Sequence, residues 1–172
     1  HWLADTCTPH RKATNGIAER AIRRVREGTG ALLVQAGMDP IWWGEACQCF
    51  CFLRVTQDIL HPDGKTAFER RFDRPFTGPV VPFGAKVFFL PTNKDDCQLL
   101  RAMGPKTLPG IFAGYHQQVG GQWSGDVYVV PLVYIERNTQ EKPHCRRIPA
   151  ANMTMAKKKG HEKDPENGFI FP

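Results

Sequence analysis

From Gly16 to Ala36 the apolar residues return at steps of three and four. Ala18, Ala21, Ile22, Val25, Thr29, Leu32, Leu33 and Ala36 make one stripe of an amphipathic helix. Thr14 or Asn15 can cap its start and Gly37 can end it. Glu19 and the arginines Arg20, Arg23, Arg24 and Arg26 fall largely off the stripe. Gly28 and Gly30 each weaken a helix by up to about 1 kcal/mol, so a bend or break is expected near its middle. Asp39-Pro40 then reads as N-cap and first residue of a second helix, "IWWGEACQCFCFLRV", which is apolar on almost every side. Trp42 or Trp43, Ala46, Cys47, Phe50 and Leu53 are expected to face the core. Thr66 caps a short third helix, "AFERRF", with Pro75 ending it.

After Pro82 the period changes. "AKVFFLP", "GIFAGYH" and "DVYVVPLVYIE" are rich in Val, Ile, Phe and Tyr and are bounded by Gly and Pro. They predict three or more strands of a small antiparallel sheet or barrel, with a long loop over residues 92–108. Residues 1–14 read as extended and loop-like. From Asn138 the hydrophobicity falls away, and the charged "AKKKGHEKDPENG" predicts disorder. The expected organisation is helical over 1–74, β-rich over 80–137, and a flexible basic tail over 138–172.

Composition narrows the partners. The 172 residues are 41% hydrophobic, enough for one modest core or two small ones, and carry a formal charge of +6. That balance favours an anionic partner, nucleic acid before a membrane surface. No apolar run approaches the roughly 18 residues of a membrane span, so no membrane partner is expected. The chain opens on His1 rather than Met, which reads as a fragment of a longer polyprotein or of an incomplete gene. Of the six cysteines, a helix brings Cys47 and Cys51 onto one face and turns Cys49 away. They read as reduced core thiols of an intracellular protein. No Cys-x2-Cys pair suggests zinc, and the histidines are scattered.

Other features divide between a sharp and a plain reading. Glu19 with Arg23 is by itself an i, i+4 surface pair worth roughly 0.3–0.5 kcal/mol. The two tryptophans can stack on bases but suit a core better. "GKT" at 64–66 lacks the glycine at position 59 that a phosphate-binding loop needs. "KKK" at 157–159 can serve as a nuclear localisation signal, although a solvated tail is the simpler reading.

"TPHRKATNGIAER" changes the weight of Glu19. It resembles the end of the catalytic core of copia-type retrotransposon integrases, whose usual form is Pro, a few residues, Gln-Asn-Gly, a hydrophobic residue, Ala and Glu-Arg. Downstream, "WWGEA", "GKTAFERRFDRP", "FGAKVFF" and "GIFAGYH" resemble further landmarks of that family in the same order, over about residues 5–135. Thr14 stands where the family has Gln, and Ala67 where it usually has Pro.

The resemblance implies an α+β fold: the C-terminal helices of a truncated RNase H-like core, then an SH3-like barrel. It implies that Glu19 is the last member of an Asp, Asp, Glu triad, both catalytic residue and metal ligand. In the parent enzyme the triad holds two Mg²⁺ ions about 3.5–4 Å apart for DNA strand transfer. Only 18 residues precede Glu19, and the two aspartates are not among them at the family's spacing. One carboxylate cannot assemble the site, so the fragment is expected to be inactive, with the stripe of the first helix lacking the sheet it covers in the family. Arg20, Arg23 and Arg26 are implied as phosphate contacts, with Asn15 near the same DNA end and Arg11 and Lys12 adding charge. Such contacts position DNA rather than read its sequence. The implied partners are element and target DNA and sister subunits, in the nucleus. Lys86, Lys94, Arg101 and Lys106 are the basic candidates on the barrel. The rival reading is a non-catalytic nucleic-acid-binding or assembly module, or the remnant of a decayed transposon.

Overall fold

The computed structural model describes residues 16–59, 62–136, 142–160 and 168–172. Helix α1 spans Gly16–Ala36 without interruption, so the bend expected at Gly28 and Gly30 does not occur. Gly28 has a packing reason to be there: a Cβ at this position would lie 2.1 Å from Cζ of Phe50. The helix ends as its sequence predicts. Gly37 is left-handed (φ 62°), its N–H donates to the Val34 carbonyl, and the N–H of Met38 reaches back to Leu33.

Asp39 caps a short 3-10 turn, Pro40–Trp42, by accepting from the N–H of Ile41 at 2.8 Å. The turn leads into α2, Trp43–Gln57. Its core face differs from the expected one. Trp42, Ala46, Cys49, Phe52 and Thr56 are buried, while Cys47, Phe50 and Leu53 lie half-buried on its flanks and Trp43 is exposed. A helix apolar all round gives no orientation of its own, so its neighbours choose the face. Helix α3, Ala67–Phe72, carries the full capping box: Thr66 Oγ1 accepts from the Glu69 N–H, and the Glu69 carboxylate accepts from the Thr66 N–H. Asp73, left-handed at φ 51°, closes it before Pro75 is reached.

The β-rich half is a five-stranded antiparallel sheet in the order β4-β3-β2-β1-β5. Strands β1 (Lys86–Phe89), β2 (Leu108–Gln117) and β3 (Trp123–Pro131) form the predicted meander. A short helix, α4 (Lys94–Cys97), interrupts the expected loop. "LVYIE" is not a continuation of β3 but a helical turn, α5 (Leu132–Glu136). The expected tail is corrected further. Strand β4 (Arg146–Pro149) pairs with β3, a 3-10 turn at Ala150–Asn152 follows, and β5 (Met153–Met155) pairs with β1. Beyond it, the N–H of Lys86 donates to the Ile170 carbonyl. Only 161–167 and 138–141 of that stretch, with Arg137, lie outside the described residues. Among the described residues no pairing joins β4 to β5, so the sheet is open where a barrel was expected.

One buried cluster joins the helices to the sheet. Leu33 and Ala36 of α1 and Trp42, Ala46, Cys49 and Phe52 around α2 meet Phe83, Val87, Phe89, Phe112, Val127, Val129 and Ile148. Tyr115 ties the connecting segment to it: its hydroxyl donates to the Pro79 carbonyl at 2.8 Å and accepts from the Val81 N–H at 2.9 Å. The C-terminal half of α1 is thereby docked on α2 and on the Gly84 turn, where a Cβ would lie 2.1 Å from Ala36 Cβ. The N-terminal half projects beyond this core and carries the candidate residues.

Candidate nucleic-acid interface

Glu19, Arg20, Arg23, Arg24 and Arg26 are all exposed on the projecting half of α1. Arg11, Lys12 and Asn15 lie outside the described residues. Successive turns of the helix gather Glu19, Ile22, Arg23, Arg26 and Glu27 around a shallow depression of about 570 Å³. The spacing explains it: 19, 23 and 27 are i, i+4, i+8, and 22 and 26 run beside them. Sequence reasoning missed Glu27, although the same spacing that linked Glu19 to Arg23 reaches it. Ile22, expected on the buried stripe, is 60% exposed, and Ile17 is 81% exposed. The stripe is thus buried only where α2 and the Gly84 turn cover it.

The local charge is cationic but divided. Four arginines on α1 stand against Glu19 and Glu27, and the described residues lining the depression include two of each sign. Glu19 and Arg23 make no ion pair among the described residues, so the i, i+4 pairing is not formed. Arg20 turns back to its own helix, with Nε donating to the Gly16 carbonyl at 3.1 Å. Arg23, Arg24 and Arg26 have no ion pair among the described residues.

Three arginines elsewhere are held differently, whereas Arg74 and Arg101 are, like those of α1, exposed and without an ion pair among the described residues. Arg146 Nε donates to Asp96, itself 1% exposed, at 2.8 Å, with Tyr134 donating to the same carboxylate. Its hydrogen bond to Asp96 pushes the Arg146 pKa upward. Arg147 meets Asp126 at 2.6 Å and Arg54 meets Asp58 at 2.7 Å. Lys142 bridges both carboxylate oxygens of Glu45 and lies 4.8 Å from the centre of the Trp42 ring. Apart from the i, i+4 pair Arg54–Asp58 at the end of α2, these charges cross-link the fold. Those of α1 are left to solvent.

A hard dication such as Mg²⁺ needs several oxygen ligands, and a two-metal site needs carboxylates placed between the ions. Among the described residues no group of three or more His, Cys, Asp or Glu converges on a point. Glu19 alone does not fit the metal, so no step is routed through one. A nucleophile–base pair fares no better. His116 Nδ1 and Ser124 Oγ are 2.8 Å apart, but that hydroxyl donates to the His116 carbonyl at 3.1 Å and accepts from the Asp126 N–H. The serine proton is committed to the backbone, and the trio fastens the β2–β3 hairpin.

No helix among the described residues is long and apolar enough to cross a membrane. The chain matches no protein-family model and no solved structure.

Proposed function

We propose that the chain is part of a copia-type integrase polyprotein and that its own activity is binding of nucleic-acid phosphates by the projecting half of α1, not strand transfer. The observation that carries the binding half is the group Arg23, Arg24 and Arg26: exposed guanidinium groups with no ion pair among the described residues, in a molecule that pairs Arg54, Arg146 and Arg147 with carboxylates. A planar, permanently charged donor left unpaired is suited to phosphate oxygens. Glu19 and Glu27 in the same depression favour contact with the backbone along the outer arginines over insertion of a phosphate between the carboxylates.

The SH3-like reading of the second half is supported by connectivity. A meander of β1 to β4, then a 3-10 turn carrying the chain across to a short β5 on the far side of β1, is the arrangement expected of such a module. DNA as the partner and a nuclear parent complex rest on the motif resemblance, and Mg²⁺ belongs to the parent enzyme in that reading.

Fluorescence anisotropy with a labelled duplex tests it. Three neutralised phosphates predict affinity about 40-fold weaker when salt rises from about 50 to about 200 mM. The double variant Arg23→Ala, Arg26→Ala should lower the salt slope by about 2. Binding that ignores salt, or a double variant that binds like the parent, overturns the reading.

A further inference from the structure

A cavity of about 720 Å³ opens where α1, α2, the segment before β1 and the last residues of the chain come together. Its size falls within the range of small-molecule sites, about 300–1,000 Å³. Leu53, Met155, Phe169 and Phe171 form apolar walls, and all four are half-buried. Val80 joins them and is 38% exposed. The apolar surface is recessed rather than presented as a flat patch. That fits a small ligand better than a protein surface, which needs about 20–30 residues on each side. The walls are fixed from two sides. The Tyr115 hydroxyl holds Pro79 and Val81, the neighbours of Val80. The carbonyls of Gly168 and Ile170 accept from the N–H groups of Lys158 and Lys86, each at 2.7 Å, and so place the backbone that carries Phe169 and Phe171. Lys157 Nζ rests 4.5 Å from the centre of the Phe169 ring.

The polar side chains at the cavity are of one kind. Gln35 of α1 and Gln57 of α2, one turn beyond Leu53, each bring a carboxamide. Among the described residues no charged side chain lines the cavity. Among them, too, the Gln35 carboxamide makes no hydrogen bond, and Gln57 spends only one N–H, donated to Thr56 Oγ1 at 3.4 Å. We propose that this cavity binds a neutral, flat ring compound bearing an amide-type edge, an N–H beside a C=O. A primary carboxamide donates and accepts at once, and so matches an edge that does the same. The phenylalanine rings and aliphatic walls take the faces of the ligand ring. An ionised ligand would lose water without meeting a counter-charge on the walls. The same lack of cations separates this site in kind from the arginines of α1.

The probe is 2-quinolinone, a neutral, flat lactam. Equilibrium dialysis against the full chain, read by ultraviolet absorbance, should show one saturable site per chain. N-methyl-2-quinolinone keeps the rings and the carbonyl but lacks the N–H. It should bind at least about fivefold more weakly, the loss expected of one hydrogen bond. The double variant Gln35→Leu, Gln57→Leu, at two exposed helix positions, should bind the two compounds alike. Val80→Arg should remove binding. Val119→Arg, at a fully exposed position between β2 and β3, should leave it unchanged. Uptake that is absent or does not saturate overturns the proposal. So does equal binding of the N-methyl compound, discrimination that survives the glutamine variant, or uptake that Val119→Arg abolishes. The comparison of the two compounds needs no variant, so it decides the matter even if Val80→Arg fails to fold.

Discussion

The two halves of α1 share one sequence period and meet opposite fates. In the C-terminal half, Thr29, Leu33 and Ala36 are buried and Gly28 lies against the Phe50 ring. In the N-terminal half, Ile17 and Ile22 stand in solvent at the same helical spacing, beside arginines without ion pairs. The amphipathic pattern therefore states which face of a helix can be buried, not how much of it is. Burial is decided by what the rest of the chain brings to that face, and here α2 and the Gly84 turn reach only the second half. The uncovered half is where binding to something outside the fold costs no internal contact.

The largest expected effect tests this division directly. Leu33→Ala removes buried methyl groups from the α1–core seam and should destabilise the protein by about 2–4 kcal/mol. Ile22→Ala, on the same stripe, should change stability by less than about 0.5 kcal/mol. Urea denaturation followed by far-ultraviolet circular dichroism measures both. Equal losses would mean that the projecting half is covered in solution, and the contrast would fail.

The glycines give a smaller effect with a difference of sign. At Gly30 a Cβ meets nothing within 4 Å, so Gly30→Ala should stabilise by about 0.5–1 kcal/mol through helix propensity alone. At Gly28 the same methyl would overlap the tip of the Phe50 ring, which must swing off α1. The displaced packing should leave Gly28→Ala about 1–2 kcal/mol less stable than Gly30→Ala. Identical thermal shifts for the two would remove the close approach of α2 as the reason for a glycine there.

Sequence reading located α1, α2, α3 and the meander because each carries a local signal: a period, a cap or a turn residue. It failed where the signal is not local. "RRIP" and "MTM" are too short to announce strands, and they become strands because β3 and β1 offer open edges. "VVPLVYIE" is apolar throughout, so strand and helical turn cannot be told apart by period. On α2, alternating Cys and Phe left the core face to be chosen by the sheet. In the candidate interface the exposed arginines were legible from helical spacing. The place of Glu27 in the same depression was legible from that spacing too; the absence of a Glu19–Arg23 pair was not, because side-chain pairing is weaker than the backbone that presents it.

Thr29 supplies the finest test of the seam between the halves. Its side chain is fully buried, yet Oγ1 has no hydrogen-bond partner among the described residues. A buried hydroxyl without a partner has lost its water and gained nothing in return, whereas an apolar group of the same shape carries no such cost. Valine keeps the β-branch and nearly the volume, and its helix propensity is close to that of threonine. Thr29→Val should therefore stabilise the protein by up to about 1 kcal/mol, read as a rise in the urea midpoint with an unchanged slope. Thr29→Ser keeps the polar atom while removing a methyl group, and should destabilise. If valine destabilises instead, the hydroxyl is bonded in solution, and the first covered turn of α1 is wetter than its burial implies.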